Sequence, residues 1–340
     1  MNINEVIKQP EYKFFETDPH LGNNTLFLTF GGSHAYGTNV AGSDIDVRGV
    51  AFKTKKDMYG LSNFEQFENK STDTVIYEFN KFIGLVMSCN PNTIEMLGGK
   101  PENTVLCRPE AQELFDNRNL FLSRKAISSF SGYATAQLRR IESAIVRGST
   151  NHDQTEEHLL RACESSIANI EGRYRELPKG ALKLRIAQCE DSEHDSEIVM
   201  DVSMEGYPLR DHKNLWSDLN NIIKNFGKIN TRNQKRDEAH LCKHMMHLIR
   251  LQLMCLDILE KEEIITYREN DLELLMAIRN GEYFRNGTMT TAFRELLNEM
   301  DKRLAYAAEN TSLPLKPDYE KVSELVVSMN QSAARRFEGS

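Results

Sequence analysis

The sequence predicts an α/β (α+β) chain: a small mixed sheet within residues 1–110, then a mainly helical domain over 111–340 with a β-containing insertion near 186–208. Three observations carry this expectation. Apolar runs of strand type, Thr25 to Phe30, Asp46 to Phe52 and Thr72 to Phe79, all fall before residue 80. Beyond about residue 110, apolar residues recur instead at the three- and four-residue intervals of amphipathic helices. The first two strand runs are joined by a stretch rich in glycine and acid, so that Phe30 to Val50 reads FGGSHAYGTNVAGSDIDVRGV.

Taken in order, residues 1–24 mix polar and aromatic side chains and are expected to form a helix or arm on the first strand, entered through the Leu21-Gly22-Asn23-Asn24 turn. Lys53 to Asn69 reads as a lysine- and aromatic-bearing loop with a short helix. In the strand that follows, alternation sets Asp73, Val75 and Tyr77 on one face and Thr74, Ile76 and Glu78 on the other. Lys81 to Ser88 continues as a helix that Asn90-Pro91 interrupts. Asn92 followed by Glu95 looks like a capping box, which makes Glu95 a helix cap.

Phe121 to Val146 has helical spacing, with Tyr133, Gln137, Arg140 and Arg147 along one stripe, and Glu156 to Ile170 reads as another helix. The insertion runs from the acidic CEDSEHDSE into a strand or hairpin. Residues 235–262 give the clearest helix, with Leu241, Met245, Leu248, Leu251, Cys255 and Leu259 as its apolar seam. Leu272 to Ile278 is capped by Asn280-Gly281. Met289 to Ala308 and Tyr319 to Met329 follow as helices, and the tail from Asn330 reads as frayed.

The 340 residues suffice for two domains or one elaborated domain. With 42 Lys and Arg against 50 Asp and Glu, the net charge of -8 argues against coating nucleic acid by bulk charge and leaves room for a local basic groove. Six cysteines without a CxxC pair match a reducing compartment. The polar start MNINEVIKQPEYKFFE has no signal-type apolar core, and no run nears the ~18 apolar residues of a membrane span. The expectation is a soluble cytoplasmic protein without a membrane partner.

The chemistry lies in Phe30 to Val50. If Asp44 and Asp46 sit on a strand, they share a face about 6–7 Å apart, a spacing suited to two Mg²⁺ ions bridging a polyphosphate. Gly31, Gly32 and Ser33 add backbone that can approach a phosphate closely, free N–H donors and a hydroxyl. Arg48 falls on the face of the Asp pair and would partner either a carboxylate or a phosphate. His34 would contact phosphate or pack at the helix start. His240 and His244 at i, i+4 do not make a zinc motif, because HLCKH lacks the Glu of HExxH and no third ligand is evident.

GGSHAYG followed by SDIDVRG resembles the signature of the DNA polymerase β nucleotidyltransferase superfamily, and more narrowly its YcgL and RlaP type, some of which are encoded beside RNA ligases. Two later segments, DTVIYEFNKFIGLVMSCNPNTIEML (Asp73 to Leu97) and KHMMHLIRL (Lys243 to Leu251), also look like that family. The resemblance is close over the first hundred residues and patchy beyond them. It implies that the sheet region is a nucleotidyltransferase palm and that a third carboxylate on a neighbouring strand joins Asp44 and Asp46 as metal ligand. Asp73 and Glu78 are the candidates; Glu78, embedded between Tyr77 and Phe79, is favoured.

Lys243, His247 and Arg250 share a helical stripe at i, i+4 and i+7. A solvated face is the default for such cations, but the resemblance implies contact with a triphosphate, Lys243 foremost. The implied reaction is transfer of a nucleoside monophosphate from an NTP to a hydroxyl with release of pyrophosphate, using two Mg²⁺ ions or Mn²⁺ in their place. An RNA end is the first choice of acceptor. The alternatives are a protein hydroxyl, as in protein AMP-transferases, and a nucleotide-binding regulatory module without catalysis.

Overall fold

Five strands form one mixed sheet, in a computed structural model that describes residues 3–149, 180–188, 196–231 and 238–337 together with Ile167, Ile170, Tyr174, Leu177 and Pro178. The chain enters through short helices α1 (Ile3–Val6) and α2 (Phe14–Thr17) and runs into β1 (Thr25–Phe30). It then passes through α3 (Gly32–Tyr36), β2 (Val47–Ala51), α4 (Lys55–Tyr59), β3 (Gln66–Asn69) and β4 (Thr74–Glu78). β1 pairs antiparallel with β2 and β5 (Thr104–Leu106), β2 pairs parallel with β4, and β3 closes the edge antiparallel to β4. This is the mixed α/β sheet followed by helices that the sequence predicts.

All six residues of β1 are buried, as befits a strand with neighbours on both sides and layers above and below. β4 alternates instead: Thr74, Ile76 and Glu78 are buried, and Val75 and Tyr77 are half-buried. Ile76 joins Leu28, Phe30, Val47 and Ala51 in a core sealed by Ile3, Val6, Tyr12 and Phe15 from the N-terminal arm. β3 and α4 occupy the stretch read as a loop with a short helix; Thr54 and Asp57 form a reciprocal capping box there.

α5 (Phe79–Met87), α6 (Pro91–Ile94), a 3₁₀ turn at Glu95–Leu97 and α7 (Pro109–Asp116) follow. The N-cap of α6 lies two residues before the expected one, Asn92. Asn90 is its N-cap, accepting from the Asn92 N–H at 3.0 Å, and Pro91 takes the first helical position where its missing N–H costs nothing. Glu95 falls at the C-terminal end of this short helix, and its side chain caps no helix start but accepts from Tyr36 and Arg250.

Helices α8 (Lys125–Ser149), α9 (Leu209–Thr231) and α10 (Glu238–Leu256, continued by a π turn at Asp257–Lys261), with hairpin β6 (Leu182–Gln188) and β7 (Ser196–Val202), come next. α11 (Leu272–Arg279), the two-residue ribbon Phe284–Arg285 with Thr288–Met289, α12 (Thr291–Asn310) and α13 (Tyr319–Arg335) complete the chain. α9 has no counterpart in the sequence reading. The helix expected over Glu156 to Ile170 lies outside the described residues except for Ile167 and Ile170, and so does most of the acidic run before β7.

Residues pack into two units, Met1–Arg139 with Cys242–Ser340, and Arg140–Leu241. The expected palm, residues 1–110, lies wholly in the first. The second has its own core around Ile170, Leu177, Leu182, Leu215 and Leu219, with the Tyr174 hydroxyl donating to Asp218 at 2.9 Å. In the first unit the tail expected to fray from Asn330 is helical as far as Arg335: Ser332 donates to Glu110 at 2.7 Å and Arg336 pairs with the same carboxylate.

Candidate active site

The turn after β1 is built on glycine because only glycine fits. Gly32 has φ +54, and a Cβ there would overlap the Asp46 carboxylate. Gly31 donates its N–H to the Asp46 carbonyl at 2.8 Å, tying the start of α3 to the extended segment that precedes β2. β2 begins at Val47, so Asp44 and Asp46 lie on this lead-in rather than within the strand. Val47 N–H in turn donates to the Asp73 carbonyl at 3.3 Å, which brings the lead-ins of β2 and β4 side by side.

A cleft of about 400 Å³ opens at this junction, with Gly32, Ser33, Asp44, Asp46 and Asp73 among its lining. Lys243 and His247 from α10 and Arg279 from the end of α11 also line it, as does the Val40–Ser43 loop. Ser33, Asp44 and Asp46 therefore meet in one place, together with two of the three stripe residues.

Arg48 does not line the cleft. It braces it: Nη2 lies 3.2 Å from Asp46 Oδ1 and 3.1 Å from Asp73 Oδ1, and Nη1 donates to the Asp73 carbonyl. Burial, then a side-chain hydrogen bond with Asp73, push the Asp46 carboxyl up to about 7, against the pull of Arg48 and Lys243. The hydrogen bond with Asp46 holds the Asp73 carboxyl below its usual range, helped by Arg48 and Lys243. As pH falls below about 7 the pair therefore takes up one proton between them, the behaviour of close carboxylates that cannot both ionise freely.

The ligand set expected from the sequence, Asp44, Asp46 and Glu78, is not assembled. Glu78 is 4% exposed and faces the core side with Thr74 and Ile76. Its carboxylate caps α5 by accepting the Lys81 N–H at 2.9 Å. Strand alternation turns it away from the cleft, and Asp73 takes the place beside Asp46. Among the described residues no three His, Cys, Asp or Glu form a metal cage on their own. Two adjoining carboxylates in an open cleft that Lys243 and Arg279 also line nevertheless fit Mg²⁺, which is commonly held by one or two carboxylates and completes its shell with phosphate oxygens and water.

Two further expectations are corrected. Arg250 does not reach the cleft; it is 6% exposed, pairs with Glu95 at 3.0 Å and stacks over Tyr36. His34 is absent from the cleft lining and packs toward Phe30, its Nε2 buried without a hydrogen-bond partner. Burial, reinforced by Arg250 and Lys243, holds His247 well below the usual histidine range, so it meets the cleft as a neutral imidazole. Arg279 went unread because it sits in the last turn of a helix with no motif around it; its Nη1 donates to the Thr38 carbonyl at 2.5 Å. Gln137, on the Tyr133 stripe, is half-buried and lies 3.1 Å from His244, whereas Tyr133, which accepts from Asn90 at 3.1 Å, is exposed.

Residues 6–163 match a family model described as RlaP: RNA repair pathway DNA polymerase beta family. The matched span is consistent with a DNA polymerase β-type nucleotidyltransferase, and it takes in the glycine turn and all three cleft carboxylates. Lys243, His247 and Arg279 lie outside the matched span. No curated protein and no solved structure matches the chain. No helix among the described residues is long and apolar enough to cross a membrane.

Proposed function

We propose that this cleft moves a nucleoside monophosphate from an NTP to a hydroxyl acceptor, with an RNA end as the acceptor, and releases pyrophosphate. One observation carries the reading: within the family-matched region, the glycine-serine turn and three carboxylates converge on a single cleft, which basic groups from α10 and α11 also line.

Asp46 and Asp73, with Asp44 at the rim, would hold Mg²⁺ or Mn²⁺. When bound, the cation neutralises phosphate charge and lowers the barrier to P–O bond exchange. The remaining work falls to the chain itself. Ser33 and the Gly32 backbone would grip phosphate oxygens, and Lys243 and Arg279 would balance the triphosphate charge. His247, being neutral, would serve as a hydrogen-bonding group rather than a counter-ion. Arg48 keeps Asp46 and Asp73 adjacent. The acceptor oxygen bonds to the α-phosphorus as the bond to the bridging α–β oxygen breaks. The acceptor proton passes to a cleft carboxylate, and pyrophosphate leaves with the charge. Catalysis on this reading is positioning and electrostatic stabilisation.

The test is transfer from each α-³²P-labelled NTP with Mg²⁺ to RNA oligonucleotides bearing a 3′-hydroxyl. Label that nuclease removes supports an RNA acceptor. Label on protein that survives nuclease moves the acceptor to a protein hydroxyl, and NTP binding with no pyrophosphate release across acceptors makes the cleft a regulatory module.

A further inference from the structure

Ser33 and Tyr36 share the single short helix α3, and Lys243, His247 and Arg250 share α10. Behind the cleft these two elements are tied by one buried knot. The Tyr36 hydroxyl donates to Glu95 Oε2 at 2.5 Å, and Arg250 Nη1 donates to the same oxygen at 3.0 Å. The Arg250 guanidinium lies 3.6 Å from the centre of the Tyr36 ring. Tyr36, Glu95 and Arg250 are 3%, 8% and 6% exposed, so charge, ring and hydroxyl are all withdrawn from water.

The residues just after Tyr36 are held from the C-terminal part of the same unit. The Arg268 N–H donates to the Tyr36 carbonyl at 3.1 Å, and Arg279 reaches the Thr38 carbonyl. Gly37, at φ +78, lies under the Tyr267 ring with no room for a Cβ, which would approach within 2.6 Å. The Thr266 hydroxyl donates to the Glu95 carbonyl at 2.6 Å. A buried ion pair adds little stability over apolar packing of the same volume, yet it is costly to break on one side. What it supplies here is geometry: a planar guanidinium fixed at once by a carboxylate and a ring allows one arrangement of α3 against α10.

We infer that Tyr36, Glu95 and Arg250 are positioning residues, which set the separation between the Ser33 turn and the Lys243–His247 segment so that a triphosphate is gripped from both. The inference rests on the nucleotide reading of the cleft. None of the three lines the cleft, so they act through Ser33, Lys243 and His247.

Full-length variants separate this role from simple packing. Tyr36→Phe removes one hydroxyl and keeps the ring under Arg250, so the fold is retained. Its kcat for transfer from NTP is expected to fall about tenfold with KM for NTP moving less than about threefold, because small misplacements of gripping groups cost rate before binding. Glu95→Gln and Arg250→Lys should show the same split, and Arg250→Lys should not rescue despite keeping its charge, since it loses the planar stack. Folded Tyr36→Phe and Glu95→Gln proteins with lower melting temperatures but unchanged kcat and KM would overturn the inference and leave the transfer reading standing.

If the wild type binds MgATP or another Mg-NTP without transferring, the transfer reading fails instead. The knot is then read on affinity, expected to fall about fivefold in both variants; unchanged affinity rejects it. A wild type that binds no nucleoside triphosphate rejects both.

Discussion

Gly32 stands so close to Asp46 that a Cβ on the glycine would take the place of Asp46 Oδ2. The turn and the carboxylate are therefore one construction. Gly32→Ala must also bear a left-handed backbone, at a cost of ~1–2 kcal/mol. The expected outcome is a fall of that size in urea-denaturation stability and displacement of the Asp46 side chain. Isothermal titration should show Mg-dependent NTP binding weakened about tenfold or more, in line with a lost charge-assisted contact. Wild-type affinity in the folded variant would contradict the arrangement.

Asp73 and Glu78 make opposite predictions. Asp73→Asn and Asp46→Asn should each lower kcat by ~10²-fold or more, the scale seen when a preorganised electrostatic group is removed. Glu78→Gln should keep kcat and lose ~1 kcal/mol of stability as a weakened helix cap. Steady-state rates beside denaturation curves decide the matter, and an inactive but stable Glu78→Gln protein would reverse the assignment.

Raising pH should destabilise the cation-free protein through Asp46. Its carboxyl rises from the ordinary 3.8 to about 7 on folding, so the native state holds a proton that the unfolded chain releases. The stabilisation is complete below the unfolded value and is lost as pH climbs through about 7. Asp73, held low, works the other way, and its contribution is lost only in acid. Mg²⁺ competes with the shared proton, so the thermal shift it produces should be larger at pH 8 than at pH 5, read by scanning calorimetry. An equal shift at both values would mean that the pair is not where the cation binds.

Lys243 and Arg279 are set apart from Arg250 by what they touch. Lys243→Met and Arg279→Met should raise KM for NTP by ~10-fold or more, the value of a hydrogen bond to a charged group. Both effects should shrink as salt screens the cleft. Arg250→Lys should move kcat first. An identical pattern in all three would mean that the helix-stripe reading was right and the buried knot incidental.

Much of the site was legible because it is local. Glycine's access to positive φ, the hydroxyl beside it and two acids two residues apart belong to one short stretch and need no partner to be recognised. The helical period likewise brought Lys243 and His247 to the cleft. What escaped was whatever depends on where a face points. Alternation turns Glu78 to the core side of β4 with Ile76, whereas Asp73 lies just before the strand on a left-handed backbone (φ +42), and only the folded chain brings it to the cleft. The same limit applies to Arg250, whose stripe is wide enough to straddle both the cleft and the core.

By itself, then, the sequence determined the mixed α/β class, the glycine-serine turn, the acidic pair and the helical character of the C-terminal part, since each follows from residues within a few positions of one another. Tertiary structure alone chose Asp73 over Glu78, turned Arg250 and Glu95 inward, and delivered Arg279 to the cleft. Those choices join residues as far apart as Thr38 and Arg279, and they are made by which apolar faces bury one another, a property of the folded chain that no short window contains.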